Sequence, residues 1–129
     1  MRGTSRAENR PERTVYEPTD AGRETLRQWL TTMLSTPARE FPELPAALAF
    51  LPVLRPEEAR AALDERVTAL RQRLSALDGE LAEGARFLPR LFLVESEYQK
   101  AVVRAELDYV HGLADDLREG RLTWDYRLG

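Results

Sequence analysis

His111 is the only histidine in the chain, with Asp108 three residues before it and Asp115 four after it. On a helix that spacing brings the three side chains to one side, where they could share a metal ion. A tight site ordinarily adds a second histidine or a thiolate, and this sequence has neither. The set therefore reads as a solvated, charged face. Glu95 and Glu97 lie about 200° apart around a helix, so they cannot close on one bond as a catalytic carboxylate pair. Ser5, Ser35, Ser75 and Ser96 have no base motif beside them, cysteine is absent, and no glycine-rich phosphate loop occurs. The expectation is a protein that is not an enzyme and takes no metal or cofactor.

What these residues sit on is a series of helices. Thr14, Val15 and Tyr16 form a short β-prone run that ends at Pro18. Thr19 then suits a helix N-cap and Asp20 the positive end of the helix dipole. Behind them Gly22, Leu26, Trp29, Leu30, Met33 and Leu34 recur every three or four residues as one apolar stripe. Five of the eight prolines follow (Pro37, Pro42, Pro45, Pro52 and Pro56), which predicts a folded connector rather than one continuous helix. Inside it, residues 44–51 are almost wholly apolar, and a helix apolar all round is expected to be buried on every side, wedged between longer helices.

Arg55, Pro56, Glu57 and Glu58 make a strong helix start. Leu63, Val67, Leu70, Leu74, Leu77 and Leu81 then alternate at spacings of four and three, a heptad seam along a rod of about 38 Å. Gly79 and Gly84 predict where that rod frays. The last helix is expected from about Phe87 to Glu119, with Gly120 just past its end. Its expected inner stripe is Leu91, Val94, Tyr98, Val102, Ala105, Tyr109, Gly112 or Leu113, and Leu117. Two helices of matched length predict an antiparallel hairpin, and Leu122 and Trp124 are expected to fold back on it. The further apolar residues Phe92, Leu93, Val103, Leu107 and Val110 face another way. A second apolar face implies a further partner, most simply the same chain about a two-fold axis.

Bulk properties exclude several classes. A chain of 129 residues fits one domain; 43% hydrophobic and 32% charged residues describe a folded, helix-rich protein. The formal charge of −3 argues against a dedicated nucleic-acid binder. With no apolar run of transmembrane length and no apolar signal core, the expected location is the cytoplasm.

Arg13, Tyr16, Thr19, Asp20 and Gly22, backed by Leu26, Trp29 and Leu30, resemble the junction at which PadR-type transcriptional regulators leave the DNA-binding winged helix. Later pieces are similar in order: Ala47 to Phe50, the helix over residues 57–81, Leu93, Val94, Glu95 and Tyr98, then Gly120 and Trp124. The resemblance runs from about Glu8 to Trp124. It implies an all-α chain in which the remnant of a winged-helix wing is followed by a helical hairpin dimerisation domain with long antiparallel helices. Residues 1–18 would be the basic remnant, 19–35 a linking helix, and 36–129 the dimerisation and effector-response domain. In the family a three-helix DNA-reading unit precedes the junction; here about a dozen residues do. The chain is thus expected to be a truncated regulator, with a stand-alone partner of a full-length relative or a mis-started reading frame as alternatives.

From the family's wing, Arg10 and Arg13 would be phosphate contacts, although residues 1–13, with four arginines against two glutamates, read better as a solvated tail. Trp29, Phe50, Phe92, Tyr98 and Trp124 are the candidate lining for a small aromatic effector. The heptad residues Leu63, Val67, Leu70, Leu74, Leu77 and Leu81, with Val102 and Leu113, are the candidate hairpin and dimer seam. The expected partner is a second copy, and DNA is reached only through a winged helix supplied elsewhere.

Overall fold

The computed structural model describes residues 19–37 and 43–125, and among them every regular element is helical. The fold is all-α. The expected wing remnant over residues 1–18, with Arg10 and Arg13, lies outside the described residues. The chain divides into two compact units, Met1–Pro42 and Glu43–Gly129.

In the first unit α1 spans Asp20–Ser35. Thr19 is its N-cap: the hydroxyl accepts the Gly22 N–H at 3.0 Å, and Asp20 stands in the first turn. Arg23 and Arg27 turn back onto Asp20 and Glu24, one helical turn earlier. The apolar stripe of Leu26, Trp29, Leu30 and Met33 forms as the spacing predicts, and all four side chains are exposed.

The second unit holds α2 (Glu43–Ala49), α3 (Pro56–Ala85) and α4 (Val94–Arg118), with one 3-10 turn at Leu51–Val53 and another at Arg90–Leu93. Pro56 opens α3, and the Glu58 carboxylate accepts the Arg55 N–H at 2.9 Å. At the other end of the unit Gly120 adopts φ 77°, the left-handed conformation a C′ residue needs. The Arg121 N–H reaches the Asp116 carbonyl and the Gly120 N–H that of Leu117, which closes α4 with a Schellman motif.

The two long helices pack against each other as a hairpin. From α3 the seam takes Ala59, Leu63, Val67 and Leu77, all buried, with Leu70, Leu74 and Leu81 half-buried. From α4 it takes Leu107, Val110 and Ala114. This reverses the face expected of α4. Val102 stays exposed and its neighbour Val103 turns toward the interior; Leu91, Val94, Tyr98 and Tyr109 are exposed as well. Of the expected inner stripe only Leu113 and Leu117 pack against the core, from its edge. The physical reason lies in the polar residues bordering each stripe. Glu106, Gln99 and Lys100 flank the Leu107 face and reach Arg66, Arg73 and Asp78 on α3. Turning the tyrosine face inward would break all three links.

Two further expectations are corrected. The segment over residues 44–51 is not buried on all sides: Leu44, Leu48 and Leu51 are half-buried, while Ala46, Ala47, Ala49 and Phe50 are exposed. A two-turn helix laid against one long helix has only one side to cover. Nor does α3 fray at its glycines; it continues to Ala85, and a Cβ on Gly84 would sit 2.8 Å from the Leu93 side chain. At Gly84 the chain entering α4 comes close against α3. Among the described residues no helix is long and apolar enough to cross a membrane.

Candidate functional site

The feature of α4 that the hairpin does not use is the side opposite its buried seam. Counting about 100° per residue, Val94, Tyr98, Val102, Ala105, Tyr109 and Gly112 fall within one arc less than 90° wide, roughly half a turn from Leu107, Val110 and Ala114. The exposures follow that division: Val110 is 0% exposed, Tyr98 70% and Tyr109 60%. Leu91, in the 3-10 turn before α4, adds a further exposed apolar side chain at 73%. From Tyr98 to Gly112 the spacing is 4-3-4-3, the heptad pattern of a helix that packs on another helix.

The stripe has different surroundings at its two ends. Near its start Arg90 grips Glu97 with bonds of 2.9 to 3.2 Å. Hydrogen bonds from Arg90 hold the Glu97 carboxyl below the usual carboxylate range, and the same contact raises Arg90. At its far end Gly112 leaves a depression of about 290 Å³ between Tyr109, Asp108, Asp116 and Arg121. The Arg121 Nε donates to Asp116 at 2.7 Å, and that bond raises the arginine. Tyrosines and small residues alternate along the stripe, so the surface is both ridged and notched.

A second concavity lies between α2 and α3. Leu44, Leu48, Leu51 and Leu54 form one wall and Ala59 and Ala62 the floor, around a volume of about 170 Å³. A cavity of about 150 Å³ accommodates a benzene ring, so this groove has room for one ring or a short aliphatic chain. Arg66 stands at its rim, already paired with Glu106. The sequence carried a sign of this groove: Ala59 and Ala62 put two small side chains on α3 beneath a leucine-rich segment.

The structure does not gather the four aromatic candidates of the second unit into one pocket. Phe92 precedes α4 and Tyr98 lies in its first turns, both exposed. Trp124 lies beyond the other end of α4, half-buried, where its indole N–H donates to the Leu54 carbonyl at 2.9 Å. That bond ties the segment after α4 to the segment before α3, as the expected fold-back requires. Phe50 is exposed between α2 and the 3-10 turn, and Trp29 belongs to the first unit.

His111 stands 3.8 Å from Asp115, and Asp115 is also engaged by Arg118. Among the described residues no group of three or more His, Cys, Asp or Glu side chains is arranged to hold a metal ion. Comparison with protein-family models, with curated proteins and with solved structures found no match to this chain.

Proposed function

We propose that this chain is the helical dimerisation and effector-response part of a PadR-like transcriptional regulator, acting in the cytoplasm as a homodimer. The observation that carries the reading is the second apolar face of α4. A helix that buries Leu107, Val110 and Ala114 in its own hairpin still presents Tyr98, Val102 and Tyr109 on the opposite side. A regulator of this kind needs a rigid rod that pairs two DNA-reading heads at fixed separation, because half-sites on DNA lie about one helical turn apart. The capped α1 supports the reading too, since Thr19 and Asp20 begin a helix as the family's junction would. In this reading DNA is bound through a winged helix, and a small aromatic effector acts through apolar concavities such as the groove beside Ala59 and Ala62.

A hybrid chain tests it, in which a PadR-type winged helix of known operator is joined ahead of Arg13. The hybrid should bind its palindromic operator as a dimer, far more tightly than it binds a single half-site. Equal, independent binding to each half-site would overturn the reading. A second reading, that the chain pairs with a full-length regulator and blocks it, draws on the same α4 face. It is favoured if the chain added in trans releases a PadR-type repressor from its operator.

A further inference from the structure

Resting on the reading that a small molecule acts through this chain, we propose that the groove between α2 and α3 takes a short aliphatic carboxylate. A molecule of about six carbons lays its alkyl chain over Ala59 and Ala62 and offers its carboxylate to Arg66 at the rim.

Volume sets the size of the ligand. A space of about 170 Å³ is slightly more than a six-carbon ring needs. It would admit one side chain of a docking protein, far short of the area a stable protein interface buries. The space exists because α3 presents small side chains there: Ala59 is buried, whereas Ala62 stays exposed on the groove floor.

The lining sets the class of the hydrocarbon. Apart from Arg66 it consists of leucines and alanines, and no aromatic side chain borders it. An aromatic ring therefore finds no partner for stacking or edge contacts, while an alkyl chain gains the ordinary benefit of buried apolar area. A hydroxyl on the ligand's body has no polar side chain to meet, and the Leu54 carbonyl in the wall already accepts the Trp124 N–H. Burying that hydroxyl unpaired is costly, which selects against phenols.

The rim sets the head group. Among the described residues that line the groove, Arg66 alone is polar. A guanidinium has five N–H donors and no acceptor, so it meets only a ligand that accepts. Glu106 engages the Arg66 Nε, yet the arginine side chain is still 41% exposed and can share its fork with a second acceptor. A carboxylate matches that fork, and its ionised oxygens bond more strongly than an alcohol. Glu106 then competes with the ligand for one cation.

The full chain is titrated by calorimetry with hexanoate, hexanol and benzoate. The same titrations follow tryptophan emission in Trp29→Phe, whose remaining indole, Trp124, is tied to Leu54 in the groove wall. Hexanoate should bind saturably, one per chain, and more tightly than hexanol or benzoate. Ala62→Leu fills the groove from an exposed position and should abolish binding while helical circular dichroism is retained. Glu106→Gln frees Arg66 and should tighten hexanoate on the order of tenfold with hexanol unchanged; Arg66→Gln should weaken hexanoate by a similar factor. The tightening in Glu106→Gln is a result that damage to the fold does not produce. No saturable binding of hexanoate, undiminished binding by Ala62→Leu, or hexanol binding as well as hexanoate would each overturn the proposal. Benzoate binding more tightly than hexanoate would overturn it too, and would leave an aromatic effector in this groove. Operator binding by the hybrid needs no ligand, so it can succeed where hexanoate fails and fail where hexanoate binds.

Discussion

Gly79 and Gly84 occupy the same helix five residues apart and should respond oppositely to one methyl group. Nothing lies within 4 Å of a Cβ built on Gly79, so alanine there adds helix propensity and meets open space. Gly79→Ala should stabilise the hairpin by about 1 kcal/mol, the usual difference between the two residues inside a helix. At Gly84 the new methyl would meet the half-buried Leu93 side chain at 2.8 Å, so Leu93 must move. Gly84→Ala should forfeit the propensity gain and be the less stable of the two, by about 1–3 kcal/mol if Leu93 cannot repack. Urea unfolding of both variants checks this; an equal gain at the two positions would show that Leu93 yields freely. The pairing of Arg90 with Glu97 sets a second expectation, in pH. Arg90 lowers the Glu97 pKa in the folded chain, so the folded state binds fewer protons than the unfolded one in the acid range. The contribution is present above the ordinary carboxylate value near pH 4 and is lost as pH falls through the lowered one. Arg90→Ala should therefore unfold at lower urea than the parent at pH 7, with the gap closing as pH drops below about 4. Arg90 is exposed and Glu97 only half-buried, so the gap is small.

At the scale of elements, what could be read from the sequence was whatever is decided locally. Thr19 caps α1 because its hydroxyl needs only the Gly22 N–H; Pro56 opens α3 because its ring suits a first turn; Gly120 closes α4 because φ 77° is strained for any residue with a Cβ. The α3 seam was legible for a related reason, since a single leucine heptad leaves no competing face. On α4 two apolar stripes lie opposite each other, and periodicity weights them equally. The choice between them is made by α3, through Arg66, Arg73 and Asp78, and such partners 22 to 40 residues away are invisible to a local pattern. The short α2 was misjudged for want of neighbours: its composition is that of a buried helix, but α3 covers one side of it only. The groove over Ala59 and Ala62 is the consequence.

For the molecule as a whole, the division of α4 into two faces separates folding from assembly, and that separation can be measured. Leu107 is buried within one chain, whereas Val102 is 45% exposed and lies on the proposed pairing face. If the native state pairs and the unfolded state does not, mass action makes the thermal midpoint rise with chain concentration. The parent protein should show that rise across a hundredfold range in concentration. Leu107→Ala removes buried aliphatic volume from the hairpin and should lower the midpoint at every concentration, at a cost of about 2–5 kcal/mol, while the concentration dependence persists. Val102→Glu leaves the buried seam intact and sets a charge against an apolar surface, where an unpaired carboxylate is expensive to desolvate. It should abolish the concentration dependence and scatter light as a single 14.7 kDa chain, with its helical circular dichroism retained. If Val102→Glu instead lost its helices along with the dimer, the hairpin would depend on its partner for folding, and the two faces would form one cooperative unit. A midpoint independent of concentration in the parent would mean that the tyrosine face stays in water.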